Sequence, residues 1–200
     1  MLAKPAPNLR RCFAAVVEAA IMAPAMFRFS GETKFIGEQL MTPFDHREHR
    51  FSKEPKYFDD LNVGDQFYIP ARTQTEALFS SFQLTSGDNH PIHYDREYCQ
   101  DRGYDGLLAH GLQVLAQTAA GAGIFPHVIG DSLIGFIEVN AKFVKGVVDG
   151  DTLYPMLVIT ELKAQNTTGV VTMAATVHNQ RDELVLDGQH KYLLRRRPQA

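Results

Sequence analysis

The sequence predicts an α+β fold: a long buried central helix wrapped by a curved antiparallel β-sheet. Two observations predict it. Residues 107–125 carry Leu107, Leu108, Leu112, Val114, Leu115, Ala116, Ala119, Ala120, Ala122 and Ile124 without one Asp, Glu, Lys or Arg. A helix that is apolar nearly all round is buried on most sides, and its small residues let surrounding backbone approach closely. After it the hydrophobic period switches to two, and short turns separate the alternating runs, which gives antiparallel strands.

Taken in order, residues 1–56 read as an N-terminal extension. Lys4, Arg10 and Arg11 precede an Ala- and Val-rich run over 12–26, but Glu18 and Pro24 interrupt it. It therefore reads as a loosely attached helix and not as a signal peptide. Residues 28–55 show no period, so the extension is expected to be partly disordered. The domain itself is expected over residues 57–197.

Tyr57 and Phe58 anchor a turn through Gly64 and Asp65, and residues 66–73 alternate Phe67, Ile69 and Ala71 with polar neighbours as a strand does. A short helix over about 76–85 puts Phe79 and Phe82 on one face and stops at Ser86-Gly87. Asp95 caps a second short helix that Gly103 ends. Beyond the long helix, Ile137, Val139, Ala141 and Phe143 alternate with Glu138, Asn140 and Lys142; Gly150-Asp151 turns the chain into a strand over 153–162. Asn166 to Gly169 turns it again, Val171, Met173, Ala175 and Val177 alternate in the next strand, and a last strand runs over 191–194.

Composition excludes several classes of function. The 200 residues are 44% hydrophobic, enough for one globular core, and a net charge of −3 gives no electrostatic reason to expect nucleic acid. No run is long and apolar enough to span a bilayer, so no membrane role is expected. Cys12 and Cys99 form no disulfide framework, which favours a reducing, cytoplasmic setting. Sheet edges need cover, so a homodimer or higher homo-oligomer is expected.

Acid and base groups concentrate between Ser86 and Gly111. Asp88 and His93 lie five residues apart across a loop that Pro91 stiffens, because proline lacks an amide donor and pushes His90 towards extended geometry. A carboxylate beside an imidazole that holds or releases a proton near neutral pH takes a proton from water and delivers one to carbon. Gly111, placed in the first turn of the buried helix, offers an amide without an intrahelical partner, and lacking a side chain it lets a carbonyl oxygen approach. The plainer reading makes Asp88 a loop carboxylate and His93 a satisfied imidazole. Asp88, His90, His93 and His110 match no helical metal-ligand spacing, and no metal is expected.

The whole pattern, Ser86-Gly87-Asp88-x-x-Pro91-x-His93-x-Asp95 followed by Ala109-His110-Gly111, resembles the signature of the MaoC-like family of (R)-specific enoyl-CoA hydratases. The entry from Tyr57 to Gly64 and the turn Gly150-Asp151-Thr152-Leu153 also resemble that family, so the likeness covers residues 57–196. It implies a hot-dog fold, a coenzyme A or acyl-carrier thioester as substrate, and no cofactor. It further implies that Asp88 and His93 act on a single water, that Gly111 supplies an oxyanion-hole amide, and that Ser86, His90, Pro91 and His110 bound the substrate site. One position departs: the family usually has Asn before the proline, where this chain has His90. A hot-dog acyl-CoA thioesterase and a non-catalytic acyl-thioester-binding protein are the alternative readings.

Overall fold

The computed structural model describes residues 52 and 54–198, together with the backbone of an antiparallel pair, Phe35–Ile36 with Gln39–Leu40. The chain divides into two compact units, Met1–His49 and Arg50–Ala200. That short pair is the described part of the first unit, and the helix expected over 12–26 lies outside the described residues. The second unit carries everything that follows.

Its sheet has six strands: β1 Gln66–Tyr68, β2 Arg72–Thr73, β3 Leu133–Phe143, β4 Thr152–Ala164, β5 Thr168–Asn179 and β6 Leu184–Arg195. They run antiparallel in the order β1-β4-β5-β6-β3, with β2 also pairing β4. The register sets one face. Met173 on β5 lies opposite His190 on β6, Val177 opposite Leu186, and Val171 opposite Tyr192, and all six are buried. Val139 and Phe143 of β3 share that face by pairing with His190 and Leu186, yet they remain 43% and 52% exposed. The meander expected from the period-two runs is therefore present. The final strand is longer than the expected residues 191–194: it runs over Leu184–Arg195, with Asp187 and Gly188 paired within the ladder.

The strand expected over 66–73 is two strands. Pro70 offers no N–H to the ladder, so pairing with β4 breaks between Tyr68 and Arg72. Helix α1, Glu76–Ser86, follows; Thr75 caps it by accepting from the Leu78 amide, and Gly87 ends it with φ +74°. Only glycine enters that left-handed conformation without steric cost. Phe79 buries against Cys99 and Leu107. Helix α2, Arg96–Gln100, starts where Asp95 accepts from the Tyr98 amide at 3.0 Å.

The continuous helix expected over 107–125 is not present. Leu108 bridges Val148 as extended chain, helix α3 covers only Gly111–Ala116, a 3₁₀ turn follows at Ala120–Ala122, and helix α4 spans Phe125–Ile129. Gly121 and Gly123 lower helix propensity where the chain breaks, and Pro126 fits only a first helical turn. Tertiary contact adds to this: a Cβ on Gly123 would lie 2.8 Å from the Tyr68 carbonyl oxygen, so the chain turns where it meets β1. The apolar content serves separate contacts. Val114 packs with Leu153, Val177 and Leu186, whereas Ala120, Phe125 and Ile129 join Leu157, Met173 and Leu194.

Candidate active site

The loop between α1 and α2 is built by its own side chains. Ser86 Oγ accepts from the Asp88 amide at 3.2 Å, and Asp88 Oδ1 accepts from the His90 amide at 3.4 Å. His90 Nδ1 accepts from the Ile92 amide at 3.3 Å and so caps the 3₁₀ turn Pro91–His93, with Pro91 at its first position. An asparagine side-chain oxygen performs the same capping. The departure at His90 therefore preserves the loop's hydrogen-bond pattern.

That turn delivers His93 to the site. Its Nδ1 lies 2.7 Å from the Leu108 carbonyl oxygen. A carbonyl only accepts, so Nδ1 carries the proton and Nε2 keeps a lone pair. The segment supplying the carbonyl is held on both sides: the Leu108 amide donates to Ile92, and the Ala109 amide donates to Val147. His93 Nε2 faces Asp88 Oδ2 at 3.9 Å. This is too long for a direct hydrogen bond, and a water about 2.8 Å from each oxygen and nitrogen fits between them. The His93 side chain is 12% exposed and that of Asp88 54%, so one partner is sheltered and the other is open to solvent. Burial lowers the His93 pKa below the ordinary value; the Leu108 carbonyl opposes this, the His110 charge adds to it, Asp88 opposes it, and His90 adds to it. The imidazole is therefore a neutral base at neutral pH.

Gly111 is the first residue of α3, directly after His110, so its amide has no intrahelical acceptor. It lines a cavity of about 170 Å³ with Ala109, Val114, Phe143, Val144, Lys145, Gly146 and Val147. A Cβ at this position would meet the Phe143 ring at 3.3 Å, so glycine leaves room for that ring against the start of α3.

His110 is 2% exposed and stacks on His93 with ring centres 3.6 Å apart and planes 20° from parallel. Its Nε2 is 3.1 Å from the Asp88 main-chain oxygen, and its Nδ1 is 3.3 Å from Gln113 Oε1. Asp88, His93 and His110 each offer a ligand atom within 4.8 Å of the others. Stacked rings direct their lone pairs along parallel planes and not to one point, and both His110 nitrogens are already engaged, so the three do not form a convergent metal site.

Of the residues singled out in the sequence, Asp88, His93 and His110 meet directly, and Gly111 adjoins them through His110. The hydrogen bonds of Ser86 and His90 are spent on the loop, which shapes the site from outside. Sequence reasoning did not assign Gln74 and Gln113, which are 0% and 3% exposed and hydrogen-bonded to each other at 3.0 Å. For Gln113 the available signal was an amide side chain within an otherwise apolar stretch; Gln74 sits among polar neighbours and carried no such signal.

Sheet and loop together define a class: a hot-dog domain whose α1–α2 loop sets a carboxylate and an imidazole facing each other at 3.9 Å. The chain belongs to the MaoC-like domain family, whose sequence model matches residues 61–181. Protein MaoC of Klebsiella aerogenes is 29% identical over 119 residues, which make up 59% of this chain and 35% of that protein. This chain thus spans about a third of that relative's length. Among solved structures, a monoamine oxidase regulatory protein from Archaeoglobus fulgidus is 30% identical with a TM-score of 0.66, covering 72% of this chain and 97% of its own. The R-hydratase PhaJ1 of Pseudomonas aeruginosa is 26% identical with a TM-score of 0.60, covering 70% of this chain and 86% of its own. The family is one of hydratases and dehydratases. No helix among the described residues is long and apolar enough to cross a membrane.

Proposed function

We propose that this protein is a hydro-lyase that reversibly adds water to a 2-enoyl thioester of coenzyme A or an acyl carrier, giving a 3-hydroxyacyl thioester. The observation that carries the reading is the 3.9 Å gap between Asp88 Oδ2 and His93 Nε2, with the far side of His93 held by the Leu108 carbonyl. The likeness to an R-hydratase supports it. The water oxygen bonds to the β-carbon, and its proton passes to the Asp88–His93 pair. The double-bond electrons move onto the thioester oxygen, where the Gly111 amide receives the charge. The pair returns a proton to the α-carbon and ends as it began. Water is consumed and no cofactor takes part. Ser86, His90, Pro91 and His110 act on the substrate by setting the loop that faces it.

A second copy of the chain covers the uncovered face of β3. Phe136, Val139 and Phe143 are 52%, 43% and 52% exposed on an edge strand, and Leu112 of α3 is 64% exposed. Burying them is worth about 25 cal/mol per Å² of apolar surface. A reducing cytoplasm is the proposed setting, in which the buried Cys99 thiol stays free.

The test is loss of conjugated-enone absorbance with a panel of enoyl-CoA esters. Asp88→Asn and His93→Ala are each expected to lower turnover by about 10²-fold or more, with circular dichroism unchanged. Near-wild-type rates in both variants would reject the assignment. Free thiol release without loss of the enone would point to a thioesterase.

A further inference from the structure

The carbonyl that holds His93 belongs to a short extended segment, and a single carboxylate fixes the end of that segment. The Leu107 amide donates to Asp149 Oδ1 at 2.7 Å, and the Asp149 amide donates back to the Leu107 carbonyl at 3.0 Å. Residues 107 and 149 are therefore tied twice. One position on, Leu108 presents its carbonyl oxygen to His93 Nδ1 at 2.7 Å. The second oxygen of the same carboxylate, Asp149 Oδ2, accepts from Arg96 Nη2 at 2.7 Å, and Arg96 also donates to Glu76 Oε1. Glu76 is the first residue of α1 and Arg96 the first of α2. The loop that carries Asp88 and His93 thus runs between two helices pinned to one side chain.

The contacts of Asp149 are unequal. The side chains of Arg96 and Glu76 are 47% and 62% exposed, so the contact between them is screened by water and salt and contributes little. Asp149 is only 18% exposed at its side chain, and Leu107 is 3% exposed. Their bond is charge-assisted and sheltered, and without the carboxylate the Leu107 amide would be left a buried donor. Gly106 makes the approach possible: a Cβ there would lie 2.5 Å from Asp149 Oδ1. A side chain at 106 would push the carboxylate off the amide of the very next residue.

We propose that Asp149 is a positioning residue for His93: by holding the Leu107 amide it aims the Leu108 carbonyl, and that carbonyl sets the orientation of the imidazole. An aspartate is required because two donors meet it, one for each oxygen. An asparagine has one oxygen to offer, and the charged guanidinium competes for it more strongly than the neutral amide does. The inference deepens the hydratase reading and rests on it for the role of His93, but the orientation of the ring is observable without substrate.

The experiment pairs a two-bond proton–nitrogen correlation spectrum of the full chain labelled with ¹⁵N-histidine, at neutral pH without substrate, with enoyl-CoA hydration kinetics. In the wild-type protein His93 is expected as one tautomer protonated at Nδ1. In Asp149→Ala its ring signals are expected to move towards the tautomer mixture of free histidine, while kcat falls about tenfold or more and KM holds. Asp149→Asn is expected to lose rate similarly, and adding Arg96→Leu to it is expected to restore about threefold or more, because the amide oxygen is then free to turn to Leu107. A merely structural role would make that double variant worse than the single one. Gly106→Ala displaces the carboxylate without removing it and is expected to repeat the His93 signature, which keeps the test open if Asp149→Ala does not fold. Wild-type ring signals in Asp149→Ala or in Gly106→Ala would overturn the proposal, as would a double variant slower than Asp149→Asn. A protein in which the ring signals respond as expected but no enoyl-CoA is hydrated would remove the hydratase reading and keep this one.

Discussion

At the scale of single residues, the site depends on which atoms remain free after the loop has satisfied itself. His93 gives Nδ1 to Leu108 and keeps Nε2; His90 gives Nδ1 to Ile92. His90→Ala is expected to cost about 1 kcal/mol of stability in urea unfolding, the usual loss on removing a cap, whereas His90→Asn should restore most of it. Equal losses in both variants would show that the cap is not what His90 contributes. Because burial and a neighbouring ring lower the His93 pKa, hydration should hold its rate through neutrality and fall only below the ordinary histidine range. A rate that already falls between pH 8 and 7 would mean that another group is titrating. The loop was legible because Gly87 and Pro91 punctuate it. The buried amide pair next to His110 was not, since Gln74 and Gln113 are 39 positions apart and meet only in three dimensions.

At the scale of elements, the broken helix matters most. Its breaks let Val114 and Phe125 enter different clusters, and they place Gly111 at a fresh helix start. Gly123 has ordinary backbone angles for alanine, so Gly123→Ala tests contact and not conformation. The added methyl would press on the Tyr68 carbonyl at 2.8 Å and on Ile69 Cγ1 at 3.1 Å. A loss of about 1–3 kcal/mol is expected, read as a lowered Tm. An unchanged Tm would show that the β1 backbone yields at no cost. Periodicity alone overstated this helix, because an apolar run records that residues are buried and not whether one cylinder buries them.

At the scale of the whole molecule, the sheet is unequally covered. Its centre is closed by α3, α4 and the turns between them, while β3 presents Phe136 and Val139 to solvent. Val139→Asp is expected to shift the protein from dimer to monomer in light scattering at micromolar concentration; a wild-type monomer would dismiss the second copy. Acid stability follows from two sheltered imidazoles. Burial lowers the pKa of both His93 and His190 in the folded chain. The unfolded chain then binds more protons below about pH 6.5, so stability is complete above that pH and falls as pH drops towards the folded values. Each contributes at most about 1.4 kcal/mol per pH unit. Urea midpoints flat from pH 7 to 5 would contradict this.

By itself the sequence determined what local pattern can encode: an antiparallel sheet from period-two runs, a stiffened loop from Gly87 and Pro91, and a family signature from Asp88, His93 and Gly111. Tertiary structure alone decided where the apolar stretch breaks, which face of β3 is left open, and how Gln74 and Gln113 pair next to His110. Each of these depends on contacts between residues distant in the chain, such as Gly123 against Tyr68 or Gln113 against Gln74. Local propensity carries no record of such neighbours, because close packing and buried hydrogen bonds are satisfied only once the chain has folded.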